Sequence, residues 1–315
     1  MSRPNPKTTK RRSEAPSQSE TIDPVWLAKA IGLTLIVAFI CGYLALCFLF
    51  YHGQWQIVLH PARTAAAPPS IEGAAFEVIH FAPGGDAIPK LTGWWIPAAP
   101  EGRHRDATVL FLPAGDGSLA DSMPTLGLLH TLGINVFAFD YRGYGQSAKG
   151  HPSQLRMTED ADSAWQYLTQ SRGVPAEHIV LYGTGVGASL ATHLAVSHAA
   201  VPALILDSPN ADLLDTVRRD PRSRFLPAGL LFHEAFPLTK PLQTLRTPKL
   251  LIASRNISSP MAAAFRSAAE PKTSAGIDDA GKTPDAQILL PFLNRYLSQS
   301  ATSARGSSLT ALTER

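Results

Sequence analysis

The sequence predicts an α/β fold: a doubly wound, mostly parallel sheet of about eight strands with helices on both faces, preceded by one transmembrane helix. Three observations carry this reading. Ala30–Tyr51, "AIGLTLIVAFICGYLALCFLFY", holds no charge. Beyond residue 75, short apolar runs alternate with helical patterns, as strand–helix–strand units require. Within that alternation Ile179–Thr192, "IVLYGTGVGASLAT", passes from a strand through a run of glycines into a helix.

Composition narrows the partners. The chain has 315 residues, 45% hydrophobic and 17% charged, which is ordinary for a globular protein. Its net charge of +3 is spread thinly, and no stripe of Lys and Arg is interleaved with aromatics. Nucleic acid is therefore not an expected partner. Cys41 and Cys47 both lie in the apolar run, so the part beyond it has neither disulfides nor thiolate ligands. No HExxH or His/Cys cluster points to a metal, and no cofactor is expected.

Taken in order, residues 1–25 are rich in Ser, Pro, Thr and charge and are expected to be a disordered cytoplasmic terminus. Residues 26–51 follow as the anchor, with the bilayer engaged by residues 30–51. About 20 apolar residues cross a hydrocarbon core, and a soluble helix is rarely apolar on every face. A cleaved signal peptide has a shorter apolar region, about 7–15 residues, and a small-residue site after it; here bulky "FLFYHGQW" follows. Leu46 before Cys47 is likewise too large for a lipoprotein site. Lys7, Lys10, Arg11 and Arg12 precede the span and Arg63 alone lies close beyond it, so the positive-inside rule puts the domain on the non-cytoplasmic side of the cell membrane, periplasmic in a bacterium.

Residues 52–74, including "PARTAAAPPS", read as a linker to a domain at 75–298. "AFEVIHF" and "LTGWWIP" are expected to open the sheet antiparallel. "ATVLFLP", "INVFAFD", "HIVLYG", "ALILDSP" and "PKLLIAS" are continuous apolar runs, the mark of parallel strands buried on both faces. Helical patterns lie between them, at Ala120–Leu132, Ser153–Ser171, Val186–His198 and Pro260–Ala269, and a last one at Pro284–Gln299. Residues 208–246 are longer and less regular than a crossover and can form a small cap over the sheet's carboxyl edge. Residues 299–315 are a polar tail.

Four stretches in order resemble the α/β-hydrolase fold, and in particular its membrane-anchored branch. They are "FAFDYRGYGQSAKGHPS" (Phe137–Ser153), "RGVPAEHIVLYG" (Arg172–Gly183), "LILDSPNADLLD" (Leu204–Asp215) and "LRTPKLLIAS" (Leu245–Ser254). The resemblance implies a nucleophile elbow G-x-S-x-G, a sharp turn that exposes a serine hydroxyl. The aligned residues are Gly183, Thr184, Gly185, Val186 and Gly187, so the serine position is Gly185. It further implies an acid after the seventh strand, which falls on Asn256, and a histidine before the last helix, which falls on Lys282. An amide cannot compensate an imidazolium, and an ammonium has no lone pair to accept a proton. The oxyanion loop becomes Pro113, Ala114, Gly115, Asp116 and Gly117, with the Asp116 carboxylate the wrong sign for stabilising an oxyanion.

Substitutes are weak. Ser189 is about one helical turn past the elbow, Thr184 is expected to point elsewhere, and Asp207 reads first as a cap of the "DSPN" turn. His151, His193, His198 and His233 are expected to be structural or exposed. The leading expectation is a membrane-anchored protein of this fold that has lost serine-hydrolase activity and acts by binding an acyl chain, a lipid, a peptide or an envelope protein. The alternative is an active ester, acyl or peptide hydrolase with a relocated, non-standard site drawing on Ser189, Asp207 or Lys282.

Overall fold

The computed structural model describes residues 23–64, 68, 70–71, 73–82, 88, 90–210, 213–254, 259–277 and 284–297. The expectations for residues 1–22, for Asn256 and Lys282 and for the tail at 299–315 lie outside them. The chain forms two compact units, one ending at Leu49 and one beginning at Phe50. Helix α1, Pro24–Gly53, carries the apolar run; its side chains are almost all exposed, and it is long and apolar enough to cross a membrane.

The second unit opens with a short turn, α2 (Trp55–Val58), and a two-residue strand, β1 (His60–Pro61). This corrects the reading of 52–74 as a linker. Leu59 and Ile71 are fully buried and Gln54 nearly so, and β1 pairs in parallel with β5 (Asp116–Gly117). Local composition hid this, because Ala and Pro look like linker until distant strands supply their partners.

The main sheet follows as β2 (Glu77–Phe81), β3 (Leu91–Ile96), β4 (His104–Leu112), β6 (Ile134–Asp140), β7 (Ile179–Thr184), β8 (Leu204–Asp207), β9 (Lys249–Ser254) and β10 (Lys272–Ile277). Its order is β10-β9-β8-β7-β4-β6-β3-β2. β2 and β3 are antiparallel as the sequence suggests, and β4 and β6–β10 are mutually parallel. The central runs are buried on both faces, each of which carries its own apolar core.

Helices α3 (Met123–Thr131), α4 (Gln154–Gln166), α5 (Gly187–Ser197) and α9 (Ser259–Ser267) connect the strands, and a last helix covers residues 286–297. α4 starts where Ser153 caps it, its hydroxyl accepting from the Arg156 amide at 3.3 Å. Met157, Ala161, Ala164 and Trp165 form its buried stripe. Residues 213–246 contribute α6 (Leu213–Arg219), α7 (Ala228–Leu231) and α8 (Thr239–Thr244), which pack on α2, α5 and α9. From β4 the chain winds first to β6 and then to β7 on β4's other side, so the topological switch point falls at the carboxyl ends of β4 and β7.

Candidate functional site

Three loops meet at that switch point, each following a strand for a reason legible in its residues. The loop after β4, residues 113–117, is held from two sides. The Tyr141 hydroxyl donates to the Pro113 carbonyl at 3.1 Å, and the Tyr144 hydroxyl to that of Gly115 at 2.9 Å. From the N-terminal strand, the His60 amide donates to Gly115 O and the Ala62 amide to Gly117 O, both at 2.8 Å. The tyrosines belong to "DYRGYG". Its Asp140 is buried and accepts from the Leu119 amide at 2.8 Å and the Gln146 amide at 3.3 Å. Arg142 pairs with Asp160 at 2.6 Å and Glu159 at 2.7 Å. The motif therefore braces the loop.

The turn between β7 and α5 has the shape of an elbow. Gly185 sits at φ +53°, the left-handed region, where a non-glycine residue is strained. Its amide donates to Asp207 O at 3.2 Å and its carbonyl accepts from the Asn210 amide at 3.1 Å, tying the turn to the end of β8. The framing glycines are steric necessities. A Cβ on Gly183 would overlap the Gly187 carbonyl oxygen, and one on Gly187 would overlap that of Leu112. A Cβ on Gly185 would lie 2.9 Å from that of Ala114, close but against a single methyl.

A cavity of about 530 Å³ opens over Gly185. Ala114, Thr184, Gly185, Asp207 and Asn210 line it, with Asp116 and Asp121 on the side of the β4 loop. Thr184 thus faces the cavity, contrary to the expectation that it points elsewhere; it ends β7, in register with Asp207. Asp207 is buried, accepting from the Tyr182 hydroxyl at 2.9 Å and the Ser208 hydroxyl at 3.1 Å. Burial raises its carboxyl above the ordinary carboxylate value. The neighbouring amides of Ala114 and Val186 donate to no carbonyl among the described residues.

Ser189 lies elsewhere. Its buried hydroxyl donates to the Pro237 carbonyl at 2.7 Å, and it does not line the cavity. Nor does any described histidine. His193 faces Asp162 at 3.6 Å, His198 stacks on Trp165, His233 bonds Gln54 and His151 leans on Trp55. Of residues 208–246, read as a small cap, Ser208, Pro209 and Asn210 line the cavity and no described residue of 213–246 does.

One pair escaped sequence reasoning. His60 Nδ1 lies 2.6 Å from Oδ1 of Asp116, a lining residue of the cavity, and both side chains are largely exposed. The Asp116 carboxylate therefore does not stand alone beside the elbow. The partners are 56 positions apart, and only the β1–β5 register aligns them; no local pattern marks His60.

Comparisons fit this geometry. The family described as serine aminopeptidase, S33 matches residues 104–259. An uncharacterized protein of Mycobacterium tuberculosis is 30% identical over 223 residues, 67% of this chain and 76% of that protein. Human alpha/beta hydrolase domain-containing protein 17C is 35% identical over 127 residues, 40% of this chain and 36% of that protein. The chain has the α/β-hydrolase fold. A Pyrococcus furiosus esterase shares the hydrolase fold with a TM-score of 0.59 and 18% identity, over 76% of this chain and 98% of that one. In this hydrolase-fold domain the cavity, the elbow turn and the β4 loop occupy the carboxyl edge, where such folds place ligands.

Proposed function

We propose that the chain is a membrane-tethered pseudo-hydrolase: residues 30–51 anchor it, the domain lies on the non-cytoplasmic side, and the cavity binds a ligand without cleaving it. The observation that carries this reading is Gly185. It holds the elbow position at φ +53°, facing the cavity, and offers no atom to attack a carbonyl. Asn256 and Lys282 at the aligned acid and base positions extend the argument from sequence. Of the ligand classes expected, a peptide suits the lining best, because Asp116, Asp121 and Asp207 face the cavity with no basic side chain among the described lining residues. The amide of Ala114, which lines the cavity, suits a carbonyl oxygen.

The test is labelling of the detergent-solubilised chain with a fluorophosphonate probe, alongside turnover of short p-nitrophenyl esters. Neither is expected above background. Gly185→Ser with Ala114→Gly, Asn256→Asp and Lys282→His should gain labelling. A labelled, active wild-type chain would overturn the proposal.

A second reading is favoured by the His60–Asp116 pair, an imidazole steadied by a carboxylate that lines the cavity. In it the chain keeps a weak hydrolase activity, with His60 as general base toward water. Turnover lost in His60→Ala and Asp116→Asn would establish that reading over the first.

A further inference from the structure

The part of the domain nearest the end of the apolar run carries an unusual surface. Tyr51 closes that run, and the next residues are fastened to α7 and its exit. Buried Gln54 donates to Leu231 O at 3.1 Å and accepts from the His233 amide at 2.8 Å. The Tyr51 ring lies 4.7 Å from that of His233. α6 packs on both α2 and α7. Leu231 and His233 are therefore tied to Tyr51 and Gln54, and α6 to α2, the residues that directly follow the apolar run in the chain.

The segment 213–233 should be well covered if it served only the fold, and it is not. Leu230 is 88% exposed and Phe225 78%, the two most exposed large apolar side chains among the described residues. Single exposed apolar residues are commonplace; two on one short segment beside a span are less so. Exposed Arg218, Arg219, Arg222 and Arg224 lie on the same segment. Asp215 engages Arg218 and Asp220 engages Arg222, at 3.6 and 2.7 Å. Arg219 and Arg224 have no acidic partner among the described residues, and the Arg224 guanidinium lies 5.7 Å from the Phe225 ring. Apolar tips and arginines on one segment match the boundary between acyl chains and anionic headgroups.

We propose that residues 213–232 rest on the same bilayer that the anchor enters, with Phe225 and Leu230 inserted at the headgroup boundary and Arg219 and Arg224 against anionic lipid phosphates. Continuity with the span and charge complementarity select lipid as the occupant. The inference rests on the reading of residues 30–51 as an uncleaved anchor.

The test uses the full chain, in a Cys41→Ser/Cys47→Ser background, reconstituted in vesicles of phosphatidylcholine with or without phosphatidylglycerol. An environment-sensitive fluorophore is attached through Leu230→Cys, and in a control through Val196→Cys, on the last turn of α5 at the sheet's opposite edge. The label at position 230 should be quenched by spin-labelled lipid about twofold or more beyond the control. The difference should grow with phosphatidylglycerol and shrink with Arg219→Glu/Arg224→Glu. Carbonate extraction and intact mass of the same samples report on the span itself. Loss of the N-terminal residues or extraction by carbonate removes the anchor reading, and the docking reading with it. An integral, intact chain whose position-230 label behaves like the control overturns docking alone. A label water-like in these vesicles but shielded in native membranes assigns the face to a protein partner and also overturns docking.

Discussion

Two stretches of the carboxyl edge obey different rules. In Asp140–Ser147 nearly every side chain is committed. Asp140 accepts two amides, Tyr141 and Tyr144 hold carbonyls of the β4 loop, and the Ser147 hydroxyl donates to Asp140 O at 2.5 Å. In Gly183–Gly187 only the frame is committed. Gly183 and Gly187 are enforced by backbone oxygens, while Gly185 between them lines the cavity and is restrained by its left-handed φ and by Ala114, whose Cβ would lie 2.9 Å from an added Cβ. The difference teaches what holds each residue in place. Gly183 and Gly187 are restrained by backbone that cannot move, whereas Gly185 is restrained by its own φ and by one neighbouring side chain.

That contrast can be broken at its strongest point first. Gly187→Ala should cost about 3 kcal/mol or more, or prevent folding, because the methyl meets backbone that cannot move without opening β4. Urea denaturation measures it, and a change near zero would show the frame to be soft. Gly185→Ala should cost only about 1–2 kcal/mol, from the left-handed φ and the contact with Ala114. Adding Ala114→Gly should return part of that loss. If Gly185→Ala proves as damaging as Gly187→Ala, the elbow centre is structural after all.

The smallest effect sharpens the comparison at the far end of α5, the helix launched by this turn. His193 there faces Asp162, which raises the imidazole above its ordinary value. A raised value means that the folded state holds the proton more tightly, so the pair's contribution is present below pH 6.5 and is lost as pH climbs through the folded value. Both groups are nearly half exposed, so solvent screening limits the contribution to a few tenths of a kcal/mol, about 0.5 at most. Stability of wild type and His193→Gln should differ slightly at pH 5.5 and converge by about pH 8; a difference that grows with pH would reverse the assignment.

Much of this was legible in order along the chain. The run Ile134–Asp140 is the strand the sequence marks, because an interior parallel strand is apolar on both faces. β10 was not marked: "KTSAGI" is an exposed edge strand whose burial comes from β9 on one side only, so its residues need not be apolar. The candidate site divides in the same way. The elbow could be read because strand, glycines and helix are neighbours in sequence. The fate of Ser189 could not, since its partner Pro237 is 48 positions away.

By itself the sequence determined that the run Ala30–Tyr51 carries no charge and that position 185 has no side chain, for both are covalent facts that no fold can alter. Tertiary structure alone decided that His60 meets Asp116, that the Asp207 carboxylate accepts from Tyr182 and Ser208, and that the stretch after the span is clasped by α6 and α7. Such pairings depend on which loops the sheet order brings to one edge, and that order is settled by long-range packing rather than by any residue's neighbours in the chain.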